Sequence, residues 1–579
     1  MAKEGGFFRM QLQIHSVFIP KPKPRFLFNL KHKKIESFCS TSTLILNSYK
    51  PNKPQLVWPS PTDEIPFWNK EFPCSDHMGV DEYDADADVV SNHDHHQLMH
   101  ITHVTAEMAP IAKVGGLGDV VTGLARASLS CGHTVDIMLP FYECIPRHQI
   151  TDLALITTFN SYHDGVWIPT EAYKGFVSSI PVIFIQPSNH FFKGKHVYGG
   201  SYNELDAYVF FSRACLEWMQ VTGTQPDIIH VHEWQTSVLP LLYWDMYHNL
   251  SLKSFSCMLS YFGSEQQLSK SGLNGSLYAT IDKVEFESSI RLYLNYEDIE
   301  TSTVSPTYLK ETMCSGWLSS TLVSNRHKYF GILNGIDTAI WNPALDVFLP
   351  AKFHAENLEG KRLCKYFVQR GLGLASSDSA LDMQTKVPLV VCITRLVAQK
   401  GLHLIIHAMK RVEQLGGQMI ILGKAPDGNI QREFEGLANL HNEGPSIRIL
   451  LMYSEELSHM LYAAADMVFV PSMYEPCGLA QMIGMRYGAV PVVRKTGGLA
   501  DTVFDMDDPQ NQEKANGFVF EGIDETSLDG ALYRAFSYFK DNPNKWNNIV
   551  KKIMEIDNSW NNTAGKYIEL YSSIKANVN

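Results

Sequence analysis

From His100 onward the chain alternates short apolar runs with longer stretches whose apolar residues fall on one helical face. HITHVTAEM is a β-branched strand candidate; after a glycine turn, DVVTGLARASLSCG carries a helical pattern, and VDIML returns as a strand ending at Pro140. A short continuous apolar run suits a strand buried on both faces, whereas spacing near 3.6 residues marks a helix with one oily stripe. Together these segments make one βαβ unit. Further strand candidates are PVIFIQ, PDIIHVH, VPLVVCIT, QMIILG, IRILLM and MVFVPS, separated by helical stretches such as LHLIIHAMKRVEQLGG. Strands alternating with helices predict an α/β fold with parallel, doubly wound sheets.

At 579 residues the chain is too long for a single core, and two large domains are the simplest division. The break is expected in the polar stretch 356–384, which gives domains 99–375 and 376–579. The tail WNNTAGKYIELYSSI is amphipathic and is expected to pack back on the first domain. Residues 1–55 are basic and hydroxyl-bearing (Lys21, Lys23, Arg25, Lys31, Lys33, Lys34, then SFCSTSTL), the composition of an organelle transit peptide. Residues 56–98 turn acidic and histidine-rich and make a linker. His93, His95, His96 and His100 lack both cysteines and a fixed helical spacing, so a solvated segment explains them better than a metal site, and no metal is expected.

Charge and cysteine content narrow the function classes. With 61 acids against 49 bases the net charge is −12, which opposes binding to a phosphate backbone and argues against nucleic acid. No apolar run approaches the roughly 20 residues of a membrane helix, so no membrane span is expected. The ten cysteines form no CxxC pair and no disulfide framework, which suits a reducing compartment.

Three clusters carry candidate chemistry. KVGGLGDV follows a strand and opens a helix, so Lys113 and the flexible Gly115 and Gly116 bring a cation and backbone N–H groups toward an anion. Its spacing is not GxGxxG, which makes dinucleotide binding a poor reading. TRLVAQKG lies at the carboxyl end of VPLVVCI, where ligands bind in open parallel sheets, and offers Arg395 and Lys400 to a diphosphate leaving group. SMYEPCGLAQM again follows a strand and offers Glu475 and Gly478 to sugar hydroxyls and phosphate. RKTGGLADTV repeats the strand, glycine turn and helix. Elements from two domains thus converge on one cleft.

The combination AEMAPIAKVGGLGDVV, SPTYLKE, GILNGIDTAIWNP, ITRLVAQKG, EPCGL and RKTGGLADTVFD resembles the bacterial glycogen synthases and plant starch synthases, above all the plant class III and IV enzymes. The resemblance runs from about Ile101 to the C-terminus. It implies a GT-B fold, two Rossmann-like domains facing across a cleft, and transfer of glucose from ADP-glucose to the non-reducing end of an α-1,4-glucan with retention, in plastid starch biosynthesis and without a cofactor or metal. By matching motif, Lys113, Gly115, Gly116 and Asp119 would belong to the donor loop, and Arg395 and Lys400 would hold the diphosphate. Glu475 would be the cleft carboxylate with Gly478 beside it, and Thr496, Gly497 and Gly498 would line the sugar and phosphates.

Three positions depart from the family pattern. Met258 and Leu259 stand where a His-Asn pair is expected, Glu233 replaces the Asp of an HDW motif, and Ala480 replaces a threonine. Losing one transition-state hydrogen bond can cost about a hundredfold in rate, so a glucan-binding homologue with impaired turnover, acting in granule initiation, is the alternative expectation.

Overall fold

The computed structural model describes residues 97–199, 203–247, 256–257, 270–271, 300–314, 319–374 and 386–578. The expected transit peptide, nearly all of the linker, and Met258 and Leu259 lie outside the described residues.

Two sheets organise the chain. The first has the order β3-β4-β5-β2-β1-β6-β7, built from β1 (His100–Val104), β2 (Thr134–Pro140), β3 (Thr151–His163), β4 (Val166–Val177), β5 (Ile180–Pro187), β6 (Ile228–Val231) and β7 (Ser256–Cys257). β1 pairs in parallel with β2 and β6, and β2 with β5. Helices α1 (Gly116–Ser130) and α2 (Glu204–Thr222) cover it. Buried Ile101, Val104, Ile137, Leu139, Phe184, Ile185 and Phe210 fill its core.

To its parallel strands this sheet adds an antiparallel edge that the sequence pattern did not predict. β3 and β4 form a long antiparallel hairpin, and β4 pairs antiparallel with β5. Asp164 and Gly165 make the turn with φ of 50° and 81°; two successive positive φ angles match the twist of a hairpin, and Asp-Gly tolerates them. The parallel expectation had no strands assigned to this half-exposed hairpin.

The second sheet, β12-β11-β10-β13-β14-β15, is parallel throughout: β10 (Leu389–Ile393), β11 (Gln418–Leu422), β12 (Ile447–Leu450), β13 (Met467–Val470), β14 (Val490–Arg494) and β15 (Phe518–Phe520). A small parallel pair, β8 (Thr301–Thr303) with β9 (Tyr329–Gly331), supports α3 (Pro306–Cys314). The second core includes Ile336, Trp341, Phe353, Cys364 and Val368, so it recruits chain well ahead of residue 376. Within the stretch 356–384, a helix, α4 (Glu359–Gly371), buries Cys364 and Val368; its polar look comes from a solvent face and from two lysines whose heads are buried. Lys361 Nζ donates to the carbonyls of Ala463, Ala465 and Tyr487 at 3.1, 2.7 and 2.8 Å, and Lys365 pairs with Asp466 at 2.6 Å.

The sheet is flanked by α5 (Leu402–Gln414), α6 (Gly428–His441), α7 (Glu455–Ala464), α8 (Leu479–Arg486), the short α9 (Gly497–Thr502), α10 (Glu525–Asp541) and α11 (Pro543–Glu555). The last helix, α12 (Trp560–Val578), leaves this half and packs on α1, placing Trp560, Tyr567, Tyr571 and Ile574 in the first core. No helix among the described residues is long and apolar enough to cross a membrane, and Cys131, Cys144, Cys215, Cys314, Cys364, Cys392 and Cys477 are free.

Candidate active site

The loop after β1 is organised by a carboxylate. Glu107 is almost fully buried, and its Oε2 accepts from the backbone N–H of Val114 and Gly115, each at 2.9 Å. Its Oε1 accepts from Tyr198 OH at 2.7 Å, and that hydroxyl accepts from Gln235 Nε2 at 2.9 Å. Two orphan donors at a glycine turn are thereby satisfied, which fixes the turn ahead of α1. Gly115 is the N-cap of α1. At Gly116 an added Cβ would stand 3.1 Å from Leu479 Cδ1, so this glycine lies against the start of α8 in the other half.

Lys113 follows the same loop into the gap between the halves. Its Nζ lies 2.9 Å from Asp119 and 3.0 Å from Glu455 at the start of α7. Burial works against the charge, but these two carboxylates outweigh it and hold the ammonium well above the ordinary lysine range. Burial pushes Asp119 up to about 6, with Lys113 pulling in the opposite direction. Lys113 also sits 5.8 Å from the Trp341 ring, which stacks on His459 at 3.9 Å. Asp346 accepts from His459 Nδ1 at 2.7 Å and secures that stack.

Across the gap, three loops at carboxyl ends of β10, β13 and β14 are laced together. Lys400 Nζ meets Glu475 Oε2 at 2.5 Å, and Ser472 Oγ donates to the same oxygen at 2.7 Å. Met473 N donates to Gln399 O at 2.7 Å, tying the Lys400 loop to the Glu475 loop. Arg494 Nη1 donates to Met473 O at 2.5 Å, tying in the third. Gly401 (φ 71°) and Gly478 (φ 75°) take left-handed backbone that a side chain would strain. Gly498 N donates to the carbonyls of Glu475 and Pro476 at 3.0 and 3.1 Å. A Cβ on Gly497 or Gly498 would run into the Glu475 or Cys477 carbonyl. Arg395 lies exposed two residues beyond β10, with no ion-pair partner among the described residues.

The two sides meet. Tyr462 on α7 is within electrostatic reach of both Asp119 and Glu475, and Asn334 hydrogen-bonds Cys477 while accepting from Tyr567 OH of α12 at 2.9 Å. The structure thus gathers Lys113, Gly115, Gly116 and Asp119 on one wall, and Lys400, Glu475, Gly478, Thr496, Gly497 and Gly498 on the other, with Arg395 exposed beyond the end of β10. Sequence motifs missed Glu107, Tyr198 and Glu455 because their roles depend on partners far along the chain. Glu107 alone had a signal, standing inside AEMAPIAKVGG.

Of the departures, Glu233 starts a short helix (Glu233–Thr236) with φ of 61°, and Ala480 is the second residue of α8. His100 bonds Asp136 at 2.7 Å, a structural role. A different trio, His103, His230 and His232, is fully buried with ring nitrogens close enough to hold a metal ion. These rings instead bond one another (His103 Nδ1 to His232 Nε2, 2.9 Å) and Tyr571 OH (2.8 Å from His230 Nδ1). Burial drives His103 down to about 3 and the other two well below their usual range, which favours the uncharged rings, and the His230 bond to Tyr571 ties α12 to the first sheet. A cavity of about 440 Å³ lined by Asn160, Glu171 and Gln186 lies on the outer strands β3 to β5, away from these residues.

Comparison with known proteins agrees with this geometry. Residues 100–317 match the model of the starch synthase catalytic domain, and residues 377–552 that of the glycosyl transferases group 1. The chain is 44% identical over 495 residues to a probable starch synthase 4, chloroplastic/amyloplastic, of Arabidopsis thaliana, covering 82% of this chain and 47% of that protein. It is 38% identical over 507 residues to a glycogen synthase of Protochlamydia amoebophila, covering 83% of this chain and all of the other. The chain spans less than half the length of the plant relatives it matches, 47% of one Arabidopsis protein and 43% of another. Among solved structures, the catalytic domain of starch synthase IV from Arabidopsis thaliana bound to ADP and acarbose superposes with a TM-score of 0.78 at 42% identity, covering 83% of this chain and 100% of that one. A sucrose-phosphate synthase from Thermosynechococcus elongatus, at 17% identity and TM-score 0.53, shares the fold alone. The two doubly wound halves facing across a gap are a GT-B arrangement. On the match over the whole of a bacterial glycogen synthase, supported by both family models, the chain belongs to the starch and glycogen synthase family of glycosyltransferases.

Proposed function

We propose that this protein is a starch synthase that transfers glucose from ADP-glucose to the non-reducing end of an α-1,4-glucan with retention of configuration. The observation that carries the reading is the Lys400–Glu475 pair at 2.5 Å, framed by glycine turns and faced across the gap by the Lys113 loop. Cations and backbone donors fixed before the reaction stabilise charge that develops as a diphosphate departs. In this reading Arg395 and Lys400 receive the β-phosphate oxygens. Glu475 and the Thr496 to Gly498 turn hold the glucose and phosphates, and the Lys113, Gly115, Gly116 and Asp119 loop closes the site from the other side. Gly478 lets the Glu475 loop pass into α8.

As the bond from anomeric carbon to phosphate oxygen breaks, the acceptor 4-hydroxyl forms the new bond on the same face. The departing phosphate oxygen takes the hydroxyl proton, leaving ADP and a glucan longer by one residue. The likeness to a catalytic domain that binds ADP and acarbose supports both the nucleotide and the α-glucan. Relatives named chloroplastic/amyloplastic, together with the basic residues 1–55, support a plastid location, with 1–55 as transit peptide and 56–98 as linker.

The test is incorporation of labelled glucose from ADP-glucose into maltoheptaose by the purified full chain. Incorporation that unlabelled ADP-glucose suppresses and UDP-glucose does not is the expected result. A folded protein that binds maltoheptaose and incorporates no label would sink the assignment and leave a glucan-binding homologue.

A further inference from the structure

Two motifs quoted above, SPTYLKE and RKTGGLADTV, meet in space. Ser305 Oγ accepts from Tyr308 N at 2.9 Å and Pro306 is the first helical residue, so α3 starts with a capping serine and a proline that has no N–H to satisfy. A helix start still leaves further N–H groups without partners inside the helix. The N–H of Thr307 finds Asp501 Oδ2 at 3.0 Å, and its hydroxyl finds Asp501 Oδ1 at 2.6 Å. In return Gly497 N, at the start of α9, donates to Glu311 Oε1 at 3.0 Å, and Thr496 Oγ1 donates to the same carboxylate at 3.1 Å. Residues 307 and 311, like 497 and 501, are one turn apart and share a helix face. The two helices therefore run in opposite senses, and each supplies the carboxylate that the other's first turn needs.

This pairing crosses from one half of the molecule to the other. On its own side α3 is fixed by the hydrogen bond between Thr312 Oγ1 and Tyr329 OH at 3.1 Å, and by Gly331, where a Cβ would clash with the Ser305 and Pro306 backbone. On the far side, Gly498 N holds the carbonyls of Glu475 and Pro476. Arg494, whose charge Glu311 favours against burial, grips the Met473 carbonyl at the other end of the same loop.

We propose that Glu311 and Asp501 are positioning residues: by capping each other's helices across the gap they set the place of the Thr496 to Gly498 turn, and through Gly498 N–H the place of the loop that carries Glu475. The proposal rests on the donor-site reading above and extends it to a pair of groups that touch no substrate. Because the clamp acts on the donor wall, its loss disturbs ADP-glucose and turnover, not glucan affinity.

The experiment uses the full chain and the variants Glu311→Ala, Glu311→Gln and Asp501→Asn. Glu311→Ala is expected to lower kcat about tenfold and raise the KM for ADP-glucose severalfold, with the KM for maltoheptaose unchanged. Glu311→Gln retains an oxygen that accepts from Gly497 N and is expected to recover most of the loss. Hydrogen exchange of the amides in 494–502 is expected to quicken in Glu311→Ala and Asp501→Asn, which reads the clamp without any turnover. If wild-type protein transfers no glucose, the functional reading fails and the exchange rates alone decide the clamp. Wild-type exchange in this segment for both Glu311→Ala and Asp501→Asn would overturn the proposal. So would an unchanged kcat and ADP-glucose KM per folded molecule in Glu311→Ala. Should Glu311→Ala not fold, Asp501→Asn takes its place in both measurements: slower turnover with quickened exchange upholds the clamp, and wild-type values overturn it.

Discussion

The two halves of this molecule are joined by two seams of opposite character. At one, α12 leaves the second half and buries Trp560, Tyr567, Tyr571 and Ile574 in the core of the first, with Gly123 of α1 giving way to the Trp560 ring. At the other, facing the candidate site, ionic and hydrogen-bonded contacts dominate: Lys113 with Glu455, Glu311 with Thr496 and Gly497, Thr307 with Asp501. Apolar surface returned to water costs free energy in proportion to its area, whereas a polar group leaving its partner finds water instead. The greasy seam therefore costs more to separate than the polar one.

That contrast can be broken at several points. The largest effect is expected at the greasy seam. Tyr571 is fully buried and bonds His230 at 2.8 Å, so Tyr571→Ala should destabilise by about 3–5 kcal/mol in chemical denaturation, and Tyr571→Phe by about 1 kcal/mol. An equal loss in both variants would mean that the hydroxyl, not the ring, holds the seam.

Next comes the donor wall, where Lys400→Ala should lower kcat about a hundredfold while leaving the melting temperature nearly unchanged. A matching fall in stability would recast the Lys400–Glu475 pair as structural.

The polar seam should show itself in pH. Asp119 has its pKa raised in the folded protein, to about 6, because burial disfavours its charge. A carboxyl raised on folding adds stability that is complete below its unfolded pKa of about 4 and is lost as pH climbs through about 6. Asp119→Asn should therefore flatten the stability profile between those limits, a change on the order of 3 kcal/mol at most. A profile indistinguishable from wild type would mean that Asp119 titrates as an ordinary carboxyl.

The smallest effect is expected at Glu455, which is partly exposed and shares Lys113 with Asp119. Glu455→Gln should change stability by less than about 1 kcal/mol. A larger cost, measured by denaturant titration, would mean that the polar seam holds the halves together more strongly than its exposed ion pair accounts for.

Much of this was legible before any fold was seen, and the gaps have physical causes. Glycine turns after β1 and β14 stood out because GG before a helical run has few other uses, and Arg395, Lys400 and Glu475 stood out because they follow buried strand runs. The hairpin of β3 and β4 escapes the sequence pattern because much of β3 faces solvent and the apolar alternation of both strands is irregular. The helix at Glu359–Gly371 was hidden by lysines that look solvated and are buried among carbonyls and Asp466. Glu311 is conspicuous in SPTYLKE, yet nothing local says that its carboxylate caps a helix nearly two hundred positions away.

What the sequence alone determined is most of the pieces: the buried strands and the helices between them, the glycines that permit left-handed turns, and the types of charged group at strand ends. These follow from local forces, the burial of apolar runs and the conformational freedom of single residues. Only the tertiary structure decided which charge answers which, placing Lys113 between Asp119 and Glu455, Glu311 on the start of α9 and α12 on the opposite half. Such pairings depend on distances between segments that chain order does not encode, because they arise when two separately packed cores are brought face to face.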